Sequence, residues 1–333
     1  MFSSEVTLIA TLLLGGATMA NAEVTFRGMC DASAAIWIGK QLLIVNDEDQ
    51  EKTLLRLYDP SAGGDPISEF TLPVTNLLFD PKEPELDLEA ITEVDGTYWA
   101  IGSHSRNKAG IARWSRQNLI AFSWTASGPA NVNSITTLLP ALGVRARAAN
   151  KDLKEIDDKK DPKDGGLSIE GLAATPQGDL LIGLRSPLDP AGKALVARLL
   201  RPSEVLKSNR ALPNLDRVFL LDLDGAGVRD MIYDASNKRY LILSGPQGPG
   251  GPFKIWAWTG EETAPKMLKD VTSLIPENTG PEVLVPAKDG AGYWLFLDEG
   301  ARPAADGKDC KDLKDPKKQT FRGIRIDESS ILR

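Results

Sequence analysis

Five stretches of the chain are built alike, and their shared grammar limits the folds open to it. They are "DASAAIWIGKQLLIVNDED" (31–49), "DLEAITEVDGTYWAIGSHS" (87–105), "GLSIEGLAATPQGDLLIGLRSP" (166–187), "GVRDMIYDASNKRYLILSGP" (227–246) and "GPEVLVPAKDGAGYWLFLDEG" (280–300). Each runs from a polar residue through a short apolar segment, a turn rich in Gly, Asp or Asn, and a second apolar segment ending in polar groups. That is the pattern of a β-hairpin. Fifteen residues separate Ser33 from Glu48, Glu89 from His104, Glu170 from Arg185 and Asp230 from Gly245; Glu282 and Glu299 are seventeen apart, across a longer turn. Further strand-like runs follow the hairpins, among them "TLLRLYDP", "LIAFSWTA", "ALVARLL", "FKIWAWTG" and "FRGIRIDE". A hairpin plus further strands, repeated at 50–80 residues, predicts an all-β chain, a β-propeller with five recognisable blade units. A sixth, degenerate blade between Trp114 and Leu142 stays open, and a β-sandwich with similar hairpins is the competing fold. Helical spacing is confined to short stretches near Thr137–Leu142 and Ser203–Ser208.

A propeller must close its ring. The strands available are "EVTFRG" (23–28) and "FRGIRIDE" (321–328), so closure is expected from the N- and C-terminal strands together. The chain has two cysteines, Cys30 and Cys310, placed to staple that junction as a disulfide, against the alternative of two separate buried thiols. Residues 1–22 read as a signal peptide: Val6–Leu14 is almost wholly apolar and "MANA" ends in small residues, although Glu5 and the lack of Lys or Arg depart from the usual leader. This predicts a periplasmic or secreted protein. Residues 23–333 then form a single β-propeller domain. A charged loop insertion around 143–166, within the longer interval 126–166, is expected to lie over one face as a lid.

The formal charge is −7, and the Lys-rich segments 151–163 and 308–318 alternate with Asp. No basic face is offered to nucleic acid. Outside the leader, no run approaches the ~18 apolar residues of a membrane helix, so no membrane span is expected in the mature chain.

If the first strand of each blade lines a central channel, the polar residues that open these strands meet at one mouth. Glu89, Glu170, Asp230 and Glu282 form one such column; Glu48, His104, Arg185, Gly245 and Glu299 form a second beside it. Crowded carboxylates need a cation, protons or interleaved arginines. Arg106, Arg185 and Arg229 are the candidate counter-charges and anion-binding residues. Ca²⁺ suits an oxygen set of Asp47, Glu89, Glu170, Asp230 and Glu282, with Asn46 nearby. His104, the one histidine, and Glu170 are the candidate catalytic residues. The competing account is a network of salt bridges that joins blades and needs no ligand. No Gly-x-Ser-x-Gly elbow is present, and "SGPQGPGGP" (244–252) lacks the ending of a phosphate loop and reads as a hairpin loop. Trp37, Trp99, Trp256, Trp258 and Trp294 lie in strand-like runs and are expected to pack between blades.

The ordered motifs "NDED", "DLEA", "GSHSRN", "SIEGLA", "GLRSP", "VRD" and "SGP" resemble the bacterial family catalogued as domain of unknown function 3616, from about Asp31 to Gly300. The resemblance implies a propeller-like fold near the esterase-like phytase group, and no established reaction. It also implies that Glu89, His104, Arg106, Glu170, Arg185, Arg229 and Asp230 belong to the site. The functional expectation is an exported propeller that binds a small anionic ligand, with or without Ca²⁺, at the channel mouth. As an enzyme it would be a metal-assisted hydrolase of phosphate esters or lactones; the alternative is a non-catalytic platform for protein or glycan.

Overall fold

The computed structural model describes residues 22–46, 53–151, 156, 161–207, 212–248, 250–261 and 264–331. The expected leader therefore lies outside the described residues, apart from Ala22.

The described chain begins with a short strand, β1 (Glu23–Arg27), and lays down blade one as β2 (Ala32–Ile38), β3 (Gln41–Asn46), β4 (Leu54–Tyr58) and β5 (Ser68–Thr71). Blade two is β6 (Leu88–Val94), β7 (Thr97–Gly102), β8 (Leu119–Thr125) and β9 (Gly128–Ile135). A helix, α1 (Leu138–Ala149), leads to blade three: β10 (Ser168–Ala174), β11 (Leu180–Ser186), β12 (Ala194–Leu199) and β13 (Leu215–Leu221), with α2 (Pro202–Lys207) between its last two strands. Blade four is β14 (Gly227–Asp234), β15 (Arg239–Gly245), β16 (Lys254–Trp258) and β17 (Lys266–Asp270). Blade five is β18 (Gly280–Pro286), β19 (Gly292–Asp298) and β20 (Thr320–Asp327), completed by β1 at its outer edge.

Every sheet is four-stranded and antiparallel, and the inner strands β2, β6, β10, β14 and β18 pack in that order and return to β2. The result is a five-bladed β-propeller. Because each blade is covered on both faces by its neighbours, its middle strands are apolar without alternation: β15 and β19 are buried almost from end to end. Aromatic rings fill the wedges between blades, as where Phe219 of blade three meets Trp258 of blade four edge-on at 4.9 Å.

Closure follows the expected strands. β1 pairs antiparallel with β20, with Phe26 opposite Phe321, and these two rings stack at 5.1 Å. A Cys30–Cys310 disulfide joins the start of blade one to the loop before β20. Through a loop of this length, such a bond is worth about 5–6 kcal/mol in the chain-entropy account.

Two expectations are corrected. The interval from Trp114 to Leu142 is no sixth blade: it supplies β8, β9 and the start of α1. Residues 143–149 of the expected loop insertion are the second half of α1, because Leu138, Leu142 and Ala146 fall at four-residue spacing and are buried against blade three. The charged residues 152–155 and 157–160 lie outside the described residues. Among the described residues, no helix is long and apolar enough to cross a membrane.

Candidate functional site

Each inner strand is interrupted near its start by a β-bulge. The residues skipped in the pairing are Ser33, Glu89, Glu170, Arg229 and Glu282. A bulge takes one residue out of the ladder and re-aims its side chain, so five successive blades present one such residue each at the upstream mouth of the channel. The expected column is therefore off by one in blade four. Arg229 takes the ring position assigned to Asp230, and Asp230 aligns instead with Ala34, Ala90, Gly171 and Val283.

That one-residue difference changes the electrostatics of the ring. Arg229 reaches both neighbouring blades, with Nη1 3.1 Å from Glu170 Oε2 and Nη2 bonded to Glu282 Oε1. Arg185, at the end of β11, holds the other oxygen of Glu170 at 2.5 Å. Glu170 is thus gripped by two guanidinium groups while only 2% exposed. The crowded acids are interleaved with arginine.

Two glycines make this clamp geometrically feasible. A Cβ on Gly245 would stand 3.0 Å from Arg229 Cγ and closer still to Phe253, and one on Gly227 would meet the Arg185 carbonyl oxygen at 2.0 Å. Side chains there would displace both arginines.

Asp230 has a different task. Its Oδ1 accepts from the Met231 amide and its Oδ2 from the Leu284 amide at 2.7 Å each, tying blade four to blade five. Burial pushes its carboxyl up to about 7 despite those two hydrogen bonds. Ser33 makes the matching link between blades one and two, donating to the Leu88 carbonyl at 2.6 Å.

Glu89 is the unmatched member of the ring. It is 9% exposed, and no described hydrogen bond or ion pair meets its carboxyl. Burial, followed by the charges of Asp87, Glu170 and Glu282, drives its pKa well above the carboxylate range, which favours the protonated form. Glu282 is also pushed up by burial, to about 8, against the opposing pull of Arg229.

In the second column, the residues that follow the partners of the pre-bulge positions in blades two to five are Ser103, Arg185, Gly245 and Asp298, so Arg185 and Gly245 stand where expected, and His104 and Glu299 stand one step beyond. Asp298 contributes to the field at Arg229 and Glu282, which fits that place. Glu299 belongs to the closure region instead, where Arg302 and Arg322 bond its two oxygens.

His104 is 1% exposed and adopts a left-handed backbone (φ 57°), an uncommon conformation for a residue with a side chain. Its Nδ1 lies 2.8 Å from the Gly102 carbonyl, and Nε2 is buried with no hydrogen bond. Desolvation pulls its pKa down to about 4. No described hydrogen bond or ion pair joins it to the carboxylate ring. Arg106 begins the following loop, where its Nη1 donates to the Gly110 carbonyl at 3.2 Å. Asp47 and Glu48 lie outside the described residues, and among the described residues no three His, Cys, Asp or Glu side chains are gathered as a metal cluster.

A polar network behind Glu89 was not anticipated from sequence. Asp87, itself left-handed (φ 52°), accepts from the hydroxyls of Ser103 and Ser105 and pairs with Arg116 at 3.1 Å. Arg116 also bonds Ser105 at 2.6 Å and Glu85 at 3.0 Å. The serines of "GSHS", 16 and 18 residues after Asp87, were the available signal.

The comparisons agree with this architecture. An exo-β-1,3-galactanase from Phanerochaete chrysosporium, crystallised with β-1,3-galactotriose, superposes with a TM-score of 0.52 at 9% identity, over 94% of this chain and 64% of its own. The chain thus spans less than two thirds of that structure's length. A β-1,3-galactosidase of the GH43 group, solved with galactodeoxynojirimycin, gives 0.52 at 9% identity, over 91% of this chain and 92% of its own. At such identities the likeness is one of fold. No curated protein sequence matches the chain. The family described as protein of unknown function (DUF3616) matches residues 31–121 and 150–280, most of the propeller. The chain belongs to the DUF3616 family.

Proposed function

We propose that the upstream mouth binds a small, acceptor-rich ligand, an anion or a lactone, and hydrolyses it by acid–base chemistry between two unlike carboxyl groups. One observation carries this reading: buried polar atoms around the ring lack hydrogen bonds. They are Arg185 Nε, Arg229 Nε, Glu170 Oε2 and His104 Nε2, beside the unmatched carboxyl of Glu89. Arg229 Nη1 is near enough to Glu170 Oε2 for ion pairing, but the angle makes no hydrogen bond. A network built only to join blades would use these atoms, since each buried group left unmet costs about 1–3 kcal/mol.

The two guanidinium N–H groups and the Glu89 hydroxyl are donors suited to a phosphoryl or lactone oxygen. Glu89 gives its proton to the leaving oxygen as the ester bond breaks. Glu170 Oε2 takes a proton from the attacking water, whose oxygen bonds to phosphorus or the acyl carbon. Division of the acid and base roles between two carboxyl groups is a recurrent arrangement. His104, with its pKa near 4, stays neutral and serves as an acceptor rather than as the proton carrier. Ca²⁺ enters the proposal as an alternative counter-charge that would need Asp47 together with the ring acids. The non-catalytic platform, for protein or glycan, is favoured by one observation, the bridging of three blades by Arg229.

The test is a thermal melt of metal-stripped protein with inorganic phosphate or with Ca²⁺, alongside turnover of an aryl phosphate and a γ-lactone. Saturating ligand at a hundred times its dissociation constant adds about 2.7 kcal/mol. Glu89→Gln should abolish turnover while the phosphate response persists. Turnover unaffected by this change sinks the catalytic assignment, and no response to phosphate in the native protein sinks the ligand assignment. A calcium response lost in Glu170→Gln would replace arginine by a cation as the anchor of the ligand.

A further inference from the structure

The channel has a second end, and its chemistry is opposite. Two to six residues downstream of the bulges, all five inner strands or the turns after them line a cavity of 380 Å³. Its walls include Trp37, Ile91, Tyr98, Ile232, Tyr233 and Pro286. Close-packed interiors leave few voids larger than a water molecule, whereas small-molecule pockets start near 300 Å³.

The aromatic side chains do not fill this space. Trp37, Tyr98 and Tyr233 remain partly exposed along it, and each is held from behind. The Trp37 indole donates to the Pro286 carbonyl at 2.7 Å, which joins blade one to blade five, and the Lys288 ammonium sits 5.1 Å from its ring. Tyr98 stacks on Phe122 at 5.5 Å, and Tyr233 packs on Tyr240 at 5.1 Å. Rings fixed in this way lose little freedom when a ligand arrives.

The polar groups of the wall are largely spoken for. Thr92 accepts from the Ala174 amide, Thr175 from the Gln177 and Asp179 amides, and Glu93 from the Gly96 amide.

We propose that this downstream mouth is a second, separate binding site, and that it takes an uncharged aromatic or similarly flat apolar compound of one or two rings. The size sets the ring count, the fixed aromatic walls favour stacking, and the acid Glu93 in the wall disfavours anions. The proposal does not depend on the chemistry of the upstream ring.

The probe is 2-naphthol, titrated into the full mature chain and followed by its own fluorescence and by calorimetry. Saturable binding of about one equivalent is expected, weakened about tenfold or more in Ile232→Trp, which fills the cavity, and unchanged in Glu89→Gln. Ala35→Leu fills the same space with a smaller side chain and serves if Ile232→Trp fails to fold. Absence of saturable binding to the native chain overturns the proposal, and so does binding that a folded cavity-filling variant leaves intact. Loss in Glu89→Gln would move the aromatic guest to the upstream mouth and also overturn it.

Discussion

The two ends of the channel are built from the same five strands and solve opposite problems. At the upstream mouth, bulges bring Glu89, Glu170, Arg229 and Glu282 together in a nearly dry ring, where every charge needs a partner or a proton. At the downstream mouth the same strands offer Ile91, Ile232 and the rings of Trp37 and Tyr233, joined by Tyr98 of β7, around an open cavity. The difference shows how propeller symmetry can position residues without specifying their chemistry. Function at the first end rests on the balance of charge, and at the second on shape.

Breaking the charge balance should have the largest effect. Arg229→Ala strands Glu282 in the interior and leaves Glu170 with Arg185 alone, and removal of one partner from a buried pair typically costs about 3–5 kcal/mol. Equilibrium denaturation checks this, and the combined replacement Arg229→Met, Glu170→Gln and Glu282→Gln should recover most of the loss. A single Arg229→Ala loss under about 1 kcal/mol would mean that the ring is far wetter than its burial implies.

At the apolar end, Ile91→Ala removes wall atoms beside a space that already exists. Its cost should be about 2 kcal/mol, smaller than the Arg229 loss, and independent of pH between about 5 and 8 because no titrating group is touched. A pH-dependent loss would show that the two ends are coupled.

Titration sharpens the contrast further. Asp230 and Glu282 are raised to about 7 and about 8, and Glu89 is raised as well, so the folded state holds protons that the unfolded chain releases. Stability from these groups is fully present below their ordinary values and is lost as pH rises through the folded ones. Glu89→Gln should therefore flatten the alkaline side of the melting profile, gaining about 1 kcal/mol at pH near 8. An unchanged slope would place its proton elsewhere.

The smallest effect is expected at His104, which works in the other direction. Its folded pKa of about 4 lies below the ordinary 6.5, so its neutral burial costs stability as pH falls through that interval. His104→Asn, which tolerates the left-handed backbone, should soften the acid side of the profile by less than the Glu89 change moves the alkaline side. Melting temperatures at about pH 4.5 and pH 7 decide it.

The sequence could be read well where the information was local. Hairpin runs such as "YLILSG" and "YWLFLD" are strands, and "VTFR" pairs with "TFRG" as the closing strands. It misled where a count along the chain stood in for a position around the axis. Equal fifteen-residue spacings placed Asp230 and His104 in columns that belong to Arg229 and Ser103. The turns are unequal: Val94 pairs with Thr97, but Asp234 pairs with Arg239 and Ala174 with Leu180. Only the bulge marks the true ring position. Trp37 is another case, since its apolar run suggested packing between blades, whereas it lines the downstream cavity. No local pattern distinguishes those fates.

What the sequence by itself determined, then, was the architecture: repeated apolar runs that must bury both faces, punctuated by turns, with terminal strands left to close the ring. Those properties are written in short segments, because strand and turn preferences act over a few residues. Tertiary structure alone decided which polar residue stands at each place in the ring, that one arginine there serves two neighbouring blades, and that the Glu89 carboxyl is pushed toward its protonated form. Each of these depends on ladder register and on neighbours some 50 to 190 residues away, where a shift of one position exchanges an acid for a base.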